Sequence, residues 1–226
     1  MIRLSPSTLN LYRECPRCFW LHIKENIHRP QGPFPSLPGG MDLVIKDYFD
    51  TYRDGKNVPP EIVGKVRGVL FPNLPILNTW RNWRTGLRYE DKKLDAALSG
   101  ALDDCLQDGN VFIPLDYKTR GSAPKEDGHI FYQGQLNAYT FLLEENGYKT
   151  DETAYLVYYY PLKVEQAGKV MFAVEPKEIK TSKEDAKKEF EAAVKVLRGS
   201  IPKKHTKCAY CNWNSDENGN QGSLFK

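Results

Sequence analysis

The spacing of hydrophobic positions changes repeatedly along the chain, and each change predicts an element. Ser5-Pro6 reads as an N-cap followed by proline in the first helical turn, which predicts a helix through Tyr12. From His28 to Gly40 the chain carries Pro30, Pro33, Pro35 and Pro38, as an extended connector does. Leu43, Ile45, Phe49 and Tyr52 are the apolar positions of a helix over residues 42–52. Residues 58–83 are broken by prolines and predict one short helix near 61–70.

The pattern then turns to strands. Residues 94–106 read as one strand or a strand pair, and Gln107-Asp108-Gly109-Asn110 as a turn. Residues 111–118, Val-Phe-Ile-Pro-Leu-Asp-Tyr-Lys, predict a strand in which Pro114 marks a bulge or an unpaired position. A helix over 130–146 closes at Gly147, and β-rich runs follow at 154–160 and 170–174. Ser182 opens a helix through Arg198: Glu184 and Asp185 suit its positive end, Ala186, Phe190, Ala193 and Leu197 recur at helical spacing, and Gly199 is a stop. A strand, a helix and another strand make a β-α-β crossover, so the expected fold is α/β with a mixed β-sheet flanked by helices.

Length and composition narrow this only a little. With 226 residues, 40% hydrophobic and 27% charged, the chain reads as one domain over 1–213, with a helical portion to about 90, a core over about 91–200 and a flexible polar tail at 214–226. No apolar run approaches the roughly 20 residues needed to cross a bilayer, and the start lacks the features of a signal peptide, so a cytoplasmic protein without membrane contact is expected. The net charge of +3 is too small to argue for nucleic acid. Two local clusters, Arg81 and Arg84 among Trp80 and Trp83, and Lys203, Lys204, His205 and Lys207, suit phosphate contact and base stacking, but equally a solvated surface. Neither a G-x-G-x-x-G nor a G-x4-G-K-[ST] motif is present, which disfavours dinucleotide and P-loop chemistry.

Three polar positions carry chemistry. Asp116 and Lys118 alternate along one strand and therefore share a face. Asp103, in Gly100-Ala101-Leu102-Asp103, approaches Asp116 if the two strands pair. Facing carboxylates repel, and a hard divalent cation relieves that repulsion while polarising a phosphate and acidifying a water. An ammonium beside them orients that water or neutralises charge on a phosphorane. An arbitrary D-x-K is usually an ordinary strand end; here the upstream carboxylate, and Gln135 and Tyr139 one helical turn apart, argue against that.

Five cysteines complete the inventory: Cys15/Cys18 and Cys208/Cys211 form two C-x2-C pairs, which suggest a metal or cluster site, and Cys105 is a small core residue. Tyr155, Tyr158, Tyr159 and Tyr160 read as a buried strand rather than a base-stacking surface, and no histidine is assigned a role.

Gly100-x-x-Asp103, Asp116-Tyr117-Lys118-Thr119 and Gln135-x3-Tyr139, in this order, resemble the successive motifs of RecB-like PD-(D/E)XK nucleases, as do Leu4-Ser5-Pro6-Ser7-Thr8-Leu9, Tyr12-x2-Cys15-Pro16-x2-Cys18 and Cys208-x2-Cys211. The pattern, over roughly residues 4–213, is most similar to CRISPR-associated RecB-like exonucleases that carry an iron–sulfur cluster. The resemblance implies a restriction-endonuclease-like core and a Mg2+- or Mn2+-dependent DNA exonuclease of repair, recombination or CRISPR adaptation, acting on single strands or ends, alone or with partner proteins. Asp103, Asp116 and the Tyr117 carbonyl would be metal ligands, Lys118 the catalytic lysine, Gln135 and Tyr139 DNA-positioning residues; Arg120 is close enough in sequence to contact phosphate. Cys15, Cys18, Cys208 and Cys211 would hold a 4Fe–4S cluster, though relatives often pair one N-terminal with three C-terminal cysteines, and this two-plus-two pattern keeps zinc open. A metal-binding histidine that many relatives carry on an early helix has no counterpart in Gly39-Gly40-Met41-Asp42-Leu43-Val44; either Asp42 or Lys46 would stand in, or the site would rely on two carboxylates. Loss of the histidine supports an alternative, a nuclease-fold DNA-binding subunit with little or no activity.

Overall fold

A computed structural model describes residues 1–212 of the chain apart from Gln31 and Phe34; the proposed tail at 214–226 lies outside the described residues. Strand β1 (Ile2–Leu4) leads into helix α1 (Pro6–Glu14) through a reciprocal cap, in which the Thr8 N–H donates to Ser5 Oγ at 3.3 Å and the Ser5 N–H to Thr8 Oγ1 at 2.8 Å. Pro16 holds Cys15 in extended backbone (φ −161°), which ends α1, and then serves as the first residue of a second helix, α2 (Pro16–Lys24). That helix was not expected. The cysteine pair therefore does not sit at the end of the first helix: Cys15 is the junction and Cys18 lies in the first turn of α2.

Helix α3 (Ser36–Asp50) starts inside the presumed connector, because Pro38 falls in its first turn, where its missing N–H has no helical partner to lose. The helix expected near 61–70 is a 3-10 turn, Pro60–Ile62, followed by β2 (Val69–Leu70); Gly64 and Gly68 adopt positive φ (+70° and +75°) and prevent helix there. The helix of this region is α4 (Leu74–Arg81), started by Asn73, whose side-chain oxygen accepts the Ile76 N–H at 3.1 Å. Strands β3 (Leu87–Asp91), β4 (Ala96–Gly100), β5 (Asp104–Asp108) and β6 (Val111–Thr119) follow, so the presumed N-terminal helical portion also contains strands. Next come α5 (Gln133–Glu145), β7 (Thr153–Val164), β8 (Val170–Lys180), α6 (Lys183–Arg198) and α7 (Ala209–Asn212).

The strands form two sheets. One has the order β1-β4-β3; the other is a mixed five-stranded sheet, β2-β5-β6-β7-β8, in which only β6 and β7 are parallel. The expected strand over 94–106 is thus split: β4 and β5 belong to different sheets, and the chain switches between them at Ala101-Leu102-Asp103. The β6-α5-β7 crossover is as expected. So is the fold class, α/β with a mixed sheet flanked by helices and the two ends brought together by four cysteines. Pro114 sits opposite Cys105 inside the sheet. It is tolerated because Cys105 directs its N–H to the Asp104 carboxylate and its carbonyl to the Phe71 N–H, so neither bonds Pro114 across the ladder.

Alternation divides the core. One face of the large sheet (Cys105, Leu156, Tyr158, Ile179) packs on α5 and α6 through Leu136, Leu142 and Phe190. The other (Ile113, Leu115, Tyr117, Val157) packs on Ile45 and Phe49 of α3. Tyr155, Tyr158 and Tyr159 are buried in this strand arrangement. Among the described residues no helix is long and apolar enough to cross a membrane.

Candidate active site

Strand β6 places the chemistry. Asp116 and Lys118 lie on the face toward α5; Tyr117 points the other way, its ring against Phe49 (4.8 Å between centroids) and its hydroxyl donating to Asp104 Oδ2 at 2.6 Å. Asp104 pairs with Leu115, so the next residues outward, Asp103 and Asp116, face each other at the sheet end. Gly100 fits closely just before this point: a Cβ there would lie 2.8 Å from Leu142 Cδ1 and 3.3 Å from the Tyr139 ring, so a larger residue would have to displace these side chains of α5.

Asp116 is fully buried. Its Oδ1 accepts Gln135 Nε2 at 3.1 Å, and the same amide donates to the Tyr139 hydroxyl at 2.8 Å. The Lys118 ammonium contacts Asp116 Oδ2 and sits 4.8 Å from the centre of the Tyr132 ring. Burial pushes the Asp116 carboxyl up to about 7; Lys118 opposes that shift and Asp103 adds to it. Lys118 is raised: burial alone would lower it, and Asp116 more than compensates.

Helix α3 adds a second ammonium. Lys46 Nζ donates to Asp42 Oδ2 at 2.7 Å, one turn earlier, and to Asp103 Oδ1 at 2.8 Å. Burial would lower its pKa, but the Asp103 and Asp42 carboxylates leave it raised. The centre thus holds three carboxylates, Asp42, Asp103 and Asp116, against two ammoniums. An excess of carboxylate and an all-oxygen set of facing donors fit a hard divalent cation held by Asp103 and Asp116.

A cavity of about 1000 Å3 opens beside these residues. Gln135, Tyr139, Gly100 and Ala101 form one wall, Ser7, Asn10 and Arg13 of α1 another, and Trp83, Phe131 and Tyr132 line it as well. Trp83 and Phe131 are 74% and 80% exposed, an unusual state for large aromatics, and Arg84 stacks on Trp83 at 4.8 Å. Local sequence gave no sign of Phe131 or Tyr132, which lie in the 3-10 turn Gly128–Tyr132 ahead of α5.

The other basic positions divide differently from the sequence clusters. Arg81 is not available to phosphate: it is tied to Asp50 (2.7 and 2.9 Å) and to the fully buried Asp104 (3.1 Å), and its Nε donates to the Asp103 carbonyl at 2.8 Å. Arg53 bridges the same two acids. Trp80, stacked on Phe71, is core. Arg120 follows β6, its N–H donating to the Tyr159 carbonyl at 2.8 Å, and its Nε is buried without a hydrogen-bond partner. Lys203, Lys204, His205 and Lys207 are exposed.

The four cysteines converge away from this centre, all buried, with Cys15–Cys211, Cys18–Cys208 and Cys18–Cys211 sulfur separations of 3.4, 3.6 and 3.9 Å. Every sulfur lies within 4.8 Å of every other, as in a metal site, and the arrangement fastens α1, α2 and α7 together.

No curated protein sequence matches the chain. The family model of the PD-(D/E)XK nuclease superfamily matches residues 42–215, a span that contains Lys46, Asp103, Asp116, Lys118, Gln135 and Tyr139. A match over most of the chain, with facing carboxylates and a lysine at the end of a mixed sheet, leads to one assignment: the protein belongs to the PD-(D/E)XK nuclease superfamily.

Proposed function

We propose that the protein is a metal-dependent deoxyribonuclease acting on single-stranded DNA or DNA ends, with Asp103, Asp116 and Lys118 as its catalytic residues. The observation that carries this reading is the buried Asp116 carboxylate, faced by Asp103, flanked by Lys118 and hydrogen-bonded to Gln135, which lines an open cavity. Asp103, Asp116 and the Tyr117 carbonyl would hold Mg2+ or Mn2+, which when bound polarises the scissile phosphate and acidifies a water.

The side chains do the rest. Lys118, kept cationic by Asp116, orients the attacking water or neutralises charge on the phosphorane oxygens. Gln135, fixed by Tyr139, holds the Asp116 carboxylate in one orientation; both its N–H donors are used there, and its carbonyl oxygen is left to accept from the nucleotide. Arg120 is the nearby phosphate contact. The exposed Trp83 and Phe131 favour a single strand, because unpaired bases can stack on them whereas duplex bases are already stacked. A place in DNA repair, recombination or CRISPR adaptation, with or without partner proteins, follows from the resemblance of the motifs.

One observation favours the second reading, a DNA-binding subunit with little activity: the Lys46 ammonium already occupies Asp103 Oδ1. Digestion of end-labelled single-stranded and duplex DNA in Mg2+, Mn2+ or chelator separates the two. The nuclease reading expects metal-dependent digestion that Lys118→Ala lowers by roughly 100- to 1000-fold, as for removal of one transition-state partner. Tight binding without cleavage in either metal would establish the second reading.

A further inference from the structure

We propose that Cys15, Cys18, Cys208 and Cys211 hold one tetrahedrally coordinated ion, zinc, rather than the iron–sulfur cluster that the motif resemblance implies. Spacing is the first ground. Four thiolates around a single zinc at about 2.3 Å stand about 3.8 Å apart by tetrahedral geometry. The close pairs here are 3.4, 3.6 and 3.9 Å apart, and no pair exceeds 4.8 Å. In a four-iron cluster each cysteine binds its own iron at a separate corner of the core, so the four sulfurs surround a body of eight atoms and cannot touch one another. Here three sulfur pairs are at 3.4–3.9 Å and every pair is within 4.8 Å, leaving room at their centre for one ion.

Local backbone gives the second ground. Each half of the site is a C-x2-C turn at the start of a helix: Cys15 caps α2, with the Cys18 N–H donating to Cys15 Sγ at 3.4 Å, and Cys208 precedes α7, which carries Cys211. Two such turns facing each other supply two ligands apiece, the closed four-thiolate arrangement of structural zinc sites. Burial is the third: Cys15 is wholly buried, and Cys18, Cys208 and Cys211 are 7%, 6% and 8% exposed, so enlarging the site would require parting the helices that form it. Arg29 compensates charge at its edge, with Nη2 3.7 Å from Cys208 Sγ, its guanidinium stacked on Tyr210 at 4.7 Å, and a 2.5 Å ion pair to Glu14.

The test is the metal content and spectrum of the full-length wild-type protein, expressed in iron- and zinc-replete medium and purified without oxygen, so that a cluster would survive. The expected result is one equivalent of zinc per chain, little iron, no labile sulfide and no visible absorption. X-ray absorption at the zinc edge should fit a single sulfur shell near the ~2.3 Å of zinc–thiolate bonds. Metal-free protein refolded with Co2+ should show the intense visible bands of tetrahedral cobalt–thiolate. Iron and sulfide in near-equal amounts with a broad visible absorption, or a zinc edge dominated by nitrogen or oxygen, would overturn the proposal. Neither readout depends on nuclease activity, so failure here leaves the reading of the other site untouched.

Discussion

Asp103 and Asp104 are neighbours in sequence but sit in opposite surroundings, Asp103 part-exposed and Asp104 fully buried. Asp104 is fully buried and shares Arg53, Arg81 and the Tyr117 hydroxyl; among the described residues those two arginines, 3% and 12% exposed, have only Asp50 as a further carboxylate partner. Replacing Asp104 with alanine leaves one buried cation uncompensated, a loss of about 3–5 kcal/mol. For a chain of this size that corresponds to a melting-point drop of roughly 6–20 °C. The Asp103 side chain is 25% exposed, and among the described residues its one ion pair is with Lys46, so Asp103→Ala should cost under ~1 kcal/mol. It should nonetheless abolish cleavage, because it removes one of the two facing carboxylates. Thermal or urea unfolding of both variants, beside a DNA digestion assay on folded protein at low temperature, reads the contrast. Asp104→Ala melting within a degree or two of wild type, or Asp103→Ala melting as low as Asp104→Ala, would refute it.

Other outcomes follow from the same geometry. The buried Asp116, raised to about 7, has a folded pKa above that of the unfolded chain. Its stabilising contribution to metal-free protein is therefore full below about pH 4 and is lost as pH rises through about 7, so urea midpoints in chelator should fall between about pH 5 and pH 8. Divalent-ion binding should in turn release a proton below about pH 7, which titration calorimetry in buffers of different ionisation enthalpy detects; metal binding without proton release would contradict the assignment. Lys46→Met removes a cation that competes for Asp103 and should lower the half-saturating Mn2+ concentration about tenfold, ~1.4 kcal/mol out of the ~4 kcal/mol between two unit charges at close range near a protein surface. A higher requirement would instead show that Lys46 assists the metal. Trp83→Ala and Phe131→Ala should each weaken binding of single-stranded oligonucleotides by about 1–3 kcal/mol at unchanged melting temperature, and equal loss on duplex would remove the argument for single strands.

The placement of the candidate site residues was more legible in the sequence than the architecture around them. Asp116 and Lys118 were readable because strand alternation is local, and Gln135 and Tyr139 because one helical turn is local. Helix α6 was readable from its cap and spacing almost to the residue. Failures arose where one residue type serves two purposes. Pro38 looked like part of an extended connector, yet it sits in the first turn of a helix, where proline is tolerated, and Pro16 likewise opens a helix that was not expected. The split of 94–106 between two sheets was hidden because Ala101-Leu102-Asp103 contains no turn residue other than Asp103; tertiary packing, with Leu102 buried and its N–H donating to the Trp80 carbonyl, turns the chain there. Arg81 read as either a phosphate contact or a solvated surface residue, and is neither, because nothing local announced Asp50 and Asp104 as its partners. Trp83 and Phe131, distant in sequence, line the same cavity, which only the folded chain can arrange.

The most direct test of the central claim is digestion of end-labelled DNA by wild type and by Asp116→Asn, an isosteric change, with both proteins shown to be folded and to retain their thiolate-bound metal. The account predicts Mg2+- or Mn2+-dependent hydrolysis of single-stranded DNA by wild type, and none above background when the buried carboxylate is an amide. Undiminished cleavage by Asp116→Asn would contradict it.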